Sequence, residues 1–264
     1  MPDPLKLAAV IGQSQTPLHP FQQPLQELAA SLSLPLFDSV ADVPDDTAWY
    51  LTYERRRLSI VERGPHAAGP TFVDFTPEGG LVMPRRRETL AVAIGVQASC
   101  STVFDATAGF GRDTFMFALL GLTVTACERH PIVAALLADG LGRAAMCGLG
   151  SIEEAAARIS LEVADAKLVL ERMAPANLPD VVYLDPMFQP RRRKVAVNKR
   201  MRVSRLLVGA DDDGADLMPA ALGKARRRVV VKRHPAAPAL CVGVSHEHVS
   251  KMARYDVYTV NVGI

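Results

Sequence analysis

The stretch Thr102–Asp113, TVFDATAGFGRD, decides the fold. An apolar β-branched run ends in Asp105, a turn carrying Gly109 and Gly111 follows, and Arg112-Asp113 opens a segment of helical periodicity, RDTFMFALLGL. The same unit recurs downstream. TVTACERHP leads into IVAALLADGLGRAAM and ISLEVAD into AKLVLERM; after DVVYLDP and a basic stretch, DLMPAALGKA leads into RRVVVKRH. Near-continuous apolar strands alternating with helices predict a doubly wound α/β domain on a mostly parallel sheet. The last stretch, HEHVSKMARYDVYTVNV, predicts two strands joined by a polar turn, an antiparallel edge to that sheet.

Upstream the character changes. AWYLTYERRRLSIVERG and TFVDF predict short antiparallel strands, PLQELAASLSLPL predicts one helix, and Pro17, Pro20, Pro24, Pro35 and Pro44 argue against any long regular element. A soft boundary between Gly79 and Glu88 separates a small α+β region, residues 1–80, from the main domain, residues 81–264.

The chain has 264 residues, 49% hydrophobic and 22% charged, enough for one full-sized core with a smaller unit appended. Its net charge of +2 does not by itself suggest a nucleic-acid partner. The cations are clustered, however. Arg55-Arg56-Arg57, Arg85-Arg86-Arg87, Arg191-Arg192-Arg193-Lys194, Lys199-Arg200-Met201-Arg202 and Arg226-Arg227-Arg228 hold about half of the 30 lysines and arginines. One such run is ordinary solvated surface; five together favour a polyanionic partner. Cys100, Cys127, Cys147 and Cys241 form no C-x-x-C pair, and His246 and His248 have no third ligand in view, so no metal site is expected. Met1–Val10 is neither a signal peptide nor a membrane span, which predicts a cytoplasmic protein.

In open α/β sheets, ligands bind beyond the carboxyl ends of the strands. Four successive strands end in acids: Asp105, Glu128 (followed by Arg129), Asp165 (followed by Ala166) and Asp185. Each alone would serve as a helix N-cap. Together they outline one rim, with Glu128 suited to the hydroxyls of a ribose and Asp165 to an adenine amino group. Gly109 and Gly111 allow backbone to approach a ligand. The longer G-x-G-x-x-G of a pyrophosphate site is absent: Thr114 stands at the third position, and Asp113 would repel a phosphate. A phosphate-free nucleoside carrying a cation, S-adenosylmethionine, fits this rim better than a dinucleotide.

DATAGFGRD, ERHPIVAALLADGL, YLDPMFQ, NKRMR and VVVKR together resemble the bacterial small-subunit ribosomal RNA guanine-N2 methyltransferases of the J family, over roughly Phe72 to the C-terminus. The resemblance implies a class I (Rossmann-like) methyltransferase fold, S-adenosylmethionine as donor, and transfer to the exocyclic N2 of one guanine in 16S rRNA, alone or in the small subunit. It places donor contacts on Arg112, Asp113, Glu128, Arg129 and Asp185. Where the family usually has two serines after the third strand, this chain has Asp165-Ala166.

D-P-M-F, Asp185–Phe188, resembles the [DN]-P-P-[FYW] motif of enzymes that methylate exocyclic amines, with Met187 for the second proline. Such an amine is a poor nucleophile because its lone pair is delocalised into the ring. A carboxylate at Asp185 and the Pro186 carbonyl accepting its N–H bonds would turn the lone pair out of conjugation, while Phe188 stacks on the base, a contact worth roughly 1–3 kcal/mol. Arg191, Arg192, Arg193, Lys194, Lys199, Arg200 and Arg202 would then grip neighbouring phosphates. Exocyclic amino groups of DNA or of another RNA are the alternative substrate, and a non-catalytic RNA-binding protein on the same scaffold is the alternative class.

Overall fold

The computed structural model describes residues 7–10, 24–64, 67, 69–85, 87–96, 100–186, 203, 207 and 214–260. The first part of the chain builds a four-stranded sheet from β1 (Leu7–Val10), β2 (Leu36–Phe37), β3 (Trp49–Glu54) and β4 (Arg57–Glu62), in the order β2-β1-β3-β4, with α1 (Leu25–Ser31) between the first two. The hairpin β3-β4 is antiparallel as the sequence predicts, but β1 pairs parallel to both β2 and β3. TFVDF is not a strand. Only Thr71 bridges, to Ile60, and the residues after it run on as an extended segment against the helices of the main domain.

The main domain follows with α2 (Thr89–Ile94), β5 (Thr102–Asp105), α3 (Arg112–Leu119), β6 (Thr123–Glu128), α4 (Pro131–Ala144), α5 (Gly150–Ala157), β7 (Ile159–Val163), α6 (Ala166–Arg172), β8 (Val181–Leu184), α7 (Gly214–Lys224), β9 (Arg228–Arg233), β10 (His246–Val249) and β11 (Arg254–Thr259). Its seven strands lie in the order β10-β11-β9-β8-β5-β6-β7. From β9 to β7 all pairings are parallel; β11 is antiparallel to β9, and β10 to β11. This is the doubly wound sheet with an antiparallel C-terminal edge that the alternation predicts. Helices α2 and α5 are additions to the sequence reading, each short enough that its periodicity spans barely two turns.

Both faces of the sheet are covered, which is why β8 is buried at every position. One core cluster joins Phe115, Leu136, Leu137 and Ile152 from α3, α4 and α5 with Leu51, Ile60, Val73 and Phe75 from the N-terminal region; the other joins Val169, Leu170, Leu217 and Ala221 from α6 and α7. The N-terminal region is thus fastened to the outside of one helical layer. Asp139 of α4, buried, accepts the Leu58 N–H at 3.1 Å and pairs with Arg143 at 2.9 Å, while Arg143 also donates to the Val73 carbonyl. Phe75 stacks on Phe115 with ring centroids 4.2 Å apart, an aromatic pair worth about 0.5–1.5 kcal/mol beyond its buried area.

Candidate active site

The turn after β5 is built by its own acids. Asp105, 1% exposed, accepts the Thr107 N–H at 3.2 Å and the Thr114 hydroxyl at 2.5 Å, so it faces into the protein and holds the loop to α3. Burial pushes its carboxyl up to about 7, against the pull of the Thr114 and Thr107 hydrogen bonds. Gly109 and Gly111 both adopt positive φ, 54° and 74°. Their reasons differ. A Cβ at Gly109 would meet only the Thr107 carbonyl at 3.9 Å, leaving open space beside the backbone, whereas one at Gly111 would strike Leu137 and press on Phe75 at 3.1 Å. Gly109 therefore fits the close approach of a ligand, and Gly111 serves the packing of α3 on α4.

Glu128, at the end of β6 and 6% exposed, reaches across to this turn: its carboxylate accepts Gly109 N–H at 2.9 Å and His130 N–H at 2.7 Å. Arg129 beside it is exposed, and burial together with the Arg129 charge lowers the His130 pKa. Asp165 is exposed and caps α6, accepting Lys167 N–H at 2.8 Å and Leu168 N–H at 3.4 Å, both through Oδ1. Ala166 buries its methyl in the second core cluster, so only its backbone can face a ligand. Arg112 is exposed at the start of α3.

The fourth acid lies in different surroundings. The side chain of Asp185, just past β8, is 40% exposed, and its Oδ2 lies 2.8 Å from Lys232 Nζ. The same Nζ lies 2.7 Å from Asp113 Oδ2, which also accepts the hydroxyl of the fully buried Tyr183 at 2.6 Å. One cation is clamped between two carboxylates from α3 and the end of β8. Burial disfavours the Lys232 charge, but Asp185 and Asp113 outweigh it and raise its pKa, so the lysine stays protonated. Burial raises the Asp185 pKa and Lys232 pulls against it; the net direction is up. The backbone is fixed as well. Asp185 N–H donates to the Thr107 hydroxyl at 2.6 Å, and Pro186 is buried against Gly214, where a Cβ would come within 2.8 Å of the proline ring.

Asp105, Thr107 and Asp185 thus form a relay in which the buried acid holds the threonine and the threonine holds the Asp-Pro turn. Thr107, Tyr183 and Lys232 were missed from sequence. A signal existed for Lys232, the cation that follows VVV in the fifth strand-like run, because the rule that picked out the four acids applies to every strand end. Met187 and Phe188, together with Arg191, Arg192, Arg193, Lys194, Lys199, Arg200 and Arg202, lie outside the described residues. Among the described residues no group of three His, Cys, Asp or Glu side chains is arranged to hold a metal, and no helix is long and apolar enough to cross a membrane.

Comparison with known proteins places this geometry. A family described as "Putative SAM-dependent methyltransferase" matches residues 38–260, beginning well upstream of Phe72. Proteins named ribosomal RNA small subunit methyltransferase J are similar over most of their length: one from Thioalkalivibrio sulfidiphilus is 44% identical, covering 88% of this chain and 91% of the relative, and one from Cellvibrio japonicus is 39% identical, covering 90% and 94%. A crystal structure of a SAM-dependent methyltransferase from Neisseria gonorrhoeae superposes with a TM-score of 0.70 at 28% identity, over 97% of this chain and 98% of that one. The chain belongs to the S-adenosylmethionine-dependent methyltransferases, in the family of ribosomal RNA small subunit methyltransferase J.

Proposed function

We propose that this protein methylates the exocyclic N2 of a guanine in 16S ribosomal RNA, in the cytoplasm, with Asp185 and Pro186 receiving the acceptor amine. The observation that carries this reading is the Asp-Pro turn at the end of a central strand, its carboxylate half-exposed and held by Lys232 through one oxygen. The donor suits the neighbouring rim: Gly109 offers open backbone, Glu128 stands at the end of β6 for a ribose, and Asp165 turns only Oδ1 to its own helix. Arg112, Asp113, Arg129 and the Ala166 backbone complete the proposed donor contacts. Bound S-adenosylmethionine supplies an electrophilic methyl group on a sulfonium.

The protein's part is placement. With Oδ2 taken by Lys232, Oδ1 of Asp185 is the oxygen left to accept an N–H of the guanine amine, and the Pro186 carbonyl accepts the other. That turns the nitrogen lone pair out of conjugation and fixes its direction. Such positioning can supply up to about 7–11 kcal/mol of a barrier. Burial that raises Asp185 also makes it a better acceptor for the proton the amine must lose. Phe188 is proposed to stack on the extruded base, and the cations from Arg191 to Arg202 to bind phosphates beside it. Residues 81–264 form the catalytic unit in this reading, and residues 1–80 an appended one.

The test is transfer of labelled methyl from S-adenosylmethionine to small subunits from cells lacking the gene, followed by nucleoside analysis. Label in N2-methylguanosine of 16S rRNA is the expected result; label in another nucleoside, or in DNA alone, would overturn the assignment.

A further inference from the structure

The hairpin β3-β4 closes through two residues, Arg55 and Arg56, since Glu54 pairs directly with Arg57. Both arginines hold positive φ, 47° and 68°, in a two-residue turn that favours Asn-Gly because side chains clash in this conformation. A strained turn carrying two exposed guanidinium groups points to a use for them.

Its position can be traced through the contacts of α4. That helix starts at Pro131, just past the end of β6, and descends to Ala144. Val73 meets Arg143 near the far end, whereas Phe75 stacks on Phe115 and lies against Gly111 in the strand-end turn. The segment from Val73 to Phe75 therefore climbs towards the active-site face. Ile60 pairs antiparallel with Thr71, so β4 descends and the turn before it lies on the active-site side. Arg57 is fixed there by Asp74 at 3.3 Å and by the Phe72 ring at 4.7 Å. Its charge is matched by Asp74, with Glu54 the acid at the turn itself, and Arg55 and Arg56 are both exposed.

We propose that the Arg55-Arg56 turn is a docking point for the phosphate backbone of the substrate RNA, a second grip on the active-site face separate from the basic segment after Asp185. Guanidinium groups bind phosphate oxygens in bidentate fashion, and a rigid two-residue turn fixes their spacing. This assigns the N-terminal region a part in substrate binding, and it rests on the reading that the substrate is RNA.

The test is the full-length double variant Arg55→Asn with Arg56→Gly, which installs the pair the turn prefers and removes both charges. Thermal melting should hold or rise, and donor affinity should be unchanged. The KM for protein-free 16S rRNA should rise on the order of tenfold, and the salt dependence of RNA binding should flatten by about 2, one per cation lost. Unchanged KM and salt slope, with wild-type protein active on the same RNA, would overturn the docking proposal alone; wild-type protein that methylates neither protein-free 16S rRNA nor small subunits would instead overturn the functional reading. Loss of activity on assembled subunits but not on protein-free rRNA would show that the turn meets a ribosomal protein and would also overturn it.

Discussion

The acids at the ends of β5, β6 and β7 and the acid at the end of β8 occupy equivalent places in the sheet and do different work. Asp105, Glu128 and Asp165 spend their oxygens mainly on backbone N–H groups within their own or the adjoining turn, so they shape loops. Asp185 meets a lysine 47 residues away, and that lysine meets Asp113, 119 residues away. The first group holds the strand-end turns on which the proposed donor site rests. The second is a charged network whose members answer to one another, and such a network is where removal of one partner has the largest consequences.

The largest difference should come from Asp185→Asn. Losing the carboxylate while keeping the side-chain shape should reduce methyl transfer by about 10²–10³-fold, the usual cost of one well-placed electrostatic partner. RNA affinity should be retained, as filter binding would show. A similar loss from an equivalent replacement of a loop-shaping acid, with donor and RNA saturating, would erase the contrast between the two groups.

The smallest effect belongs to Asp105. Its carboxyl is raised to about 7 in the folded protein, against about 4 in an unfolded chain, so between those values the native state holds more protons than the unfolded one. Stability contributed by this group therefore falls as pH rises from about 4 to about 7. Asp105→Asn removes the titration. The melting temperature of the variant relative to wild type should move upward by roughly a few °C between pH 5 and pH 8, measured by calorimetry; a difference flat with pH would show that Asp105 is ionised throughout.

The same contrast explains what the sequence made legible. Caps and glycine turns are local, so Gly109, Glu128 and Asp165 could be placed at the strand ends by position and spacing, whereas Asp105 turns inward from the expected rim, and the sheet followed from four strand-helix units and a fifth strand. Even so, Gly111 serves packing against Leu137 and Phe75 rather than ligand approach, because what a Cβ there would meet depends on how α4 packs. Tyr183 and Thr107 escaped because their side-chain partners lie 70 and 78 residues away and no spacing rule links them; Lys232 stands at a strand end, where the rule applied to the acids would have found it had it been extended to cations. The parallel pairing of β1 was hidden for the same reason, and TFVDF has strand-like residues but makes only the single bridge at Thr71.

A double-mutant cycle shows whether Lys232 acts through Asp185. Single-turnover transfer would be measured for Asp185→Asn, Lys232→Met and the two combined, with donor and RNA saturating. Lys232→Met alone should slow transfer about 10–100-fold, the range for losing a partner that orients a functional group. It should also move the acidic limb of the rate profile to higher pH, because burial and Asp113 then raise Asp185 unopposed. The double variant should be slower than Asp185→Asn by no more than about threefold, as for residues that act as a unit. Losses that multiply in full would show two independent contributions and contradict that coupling.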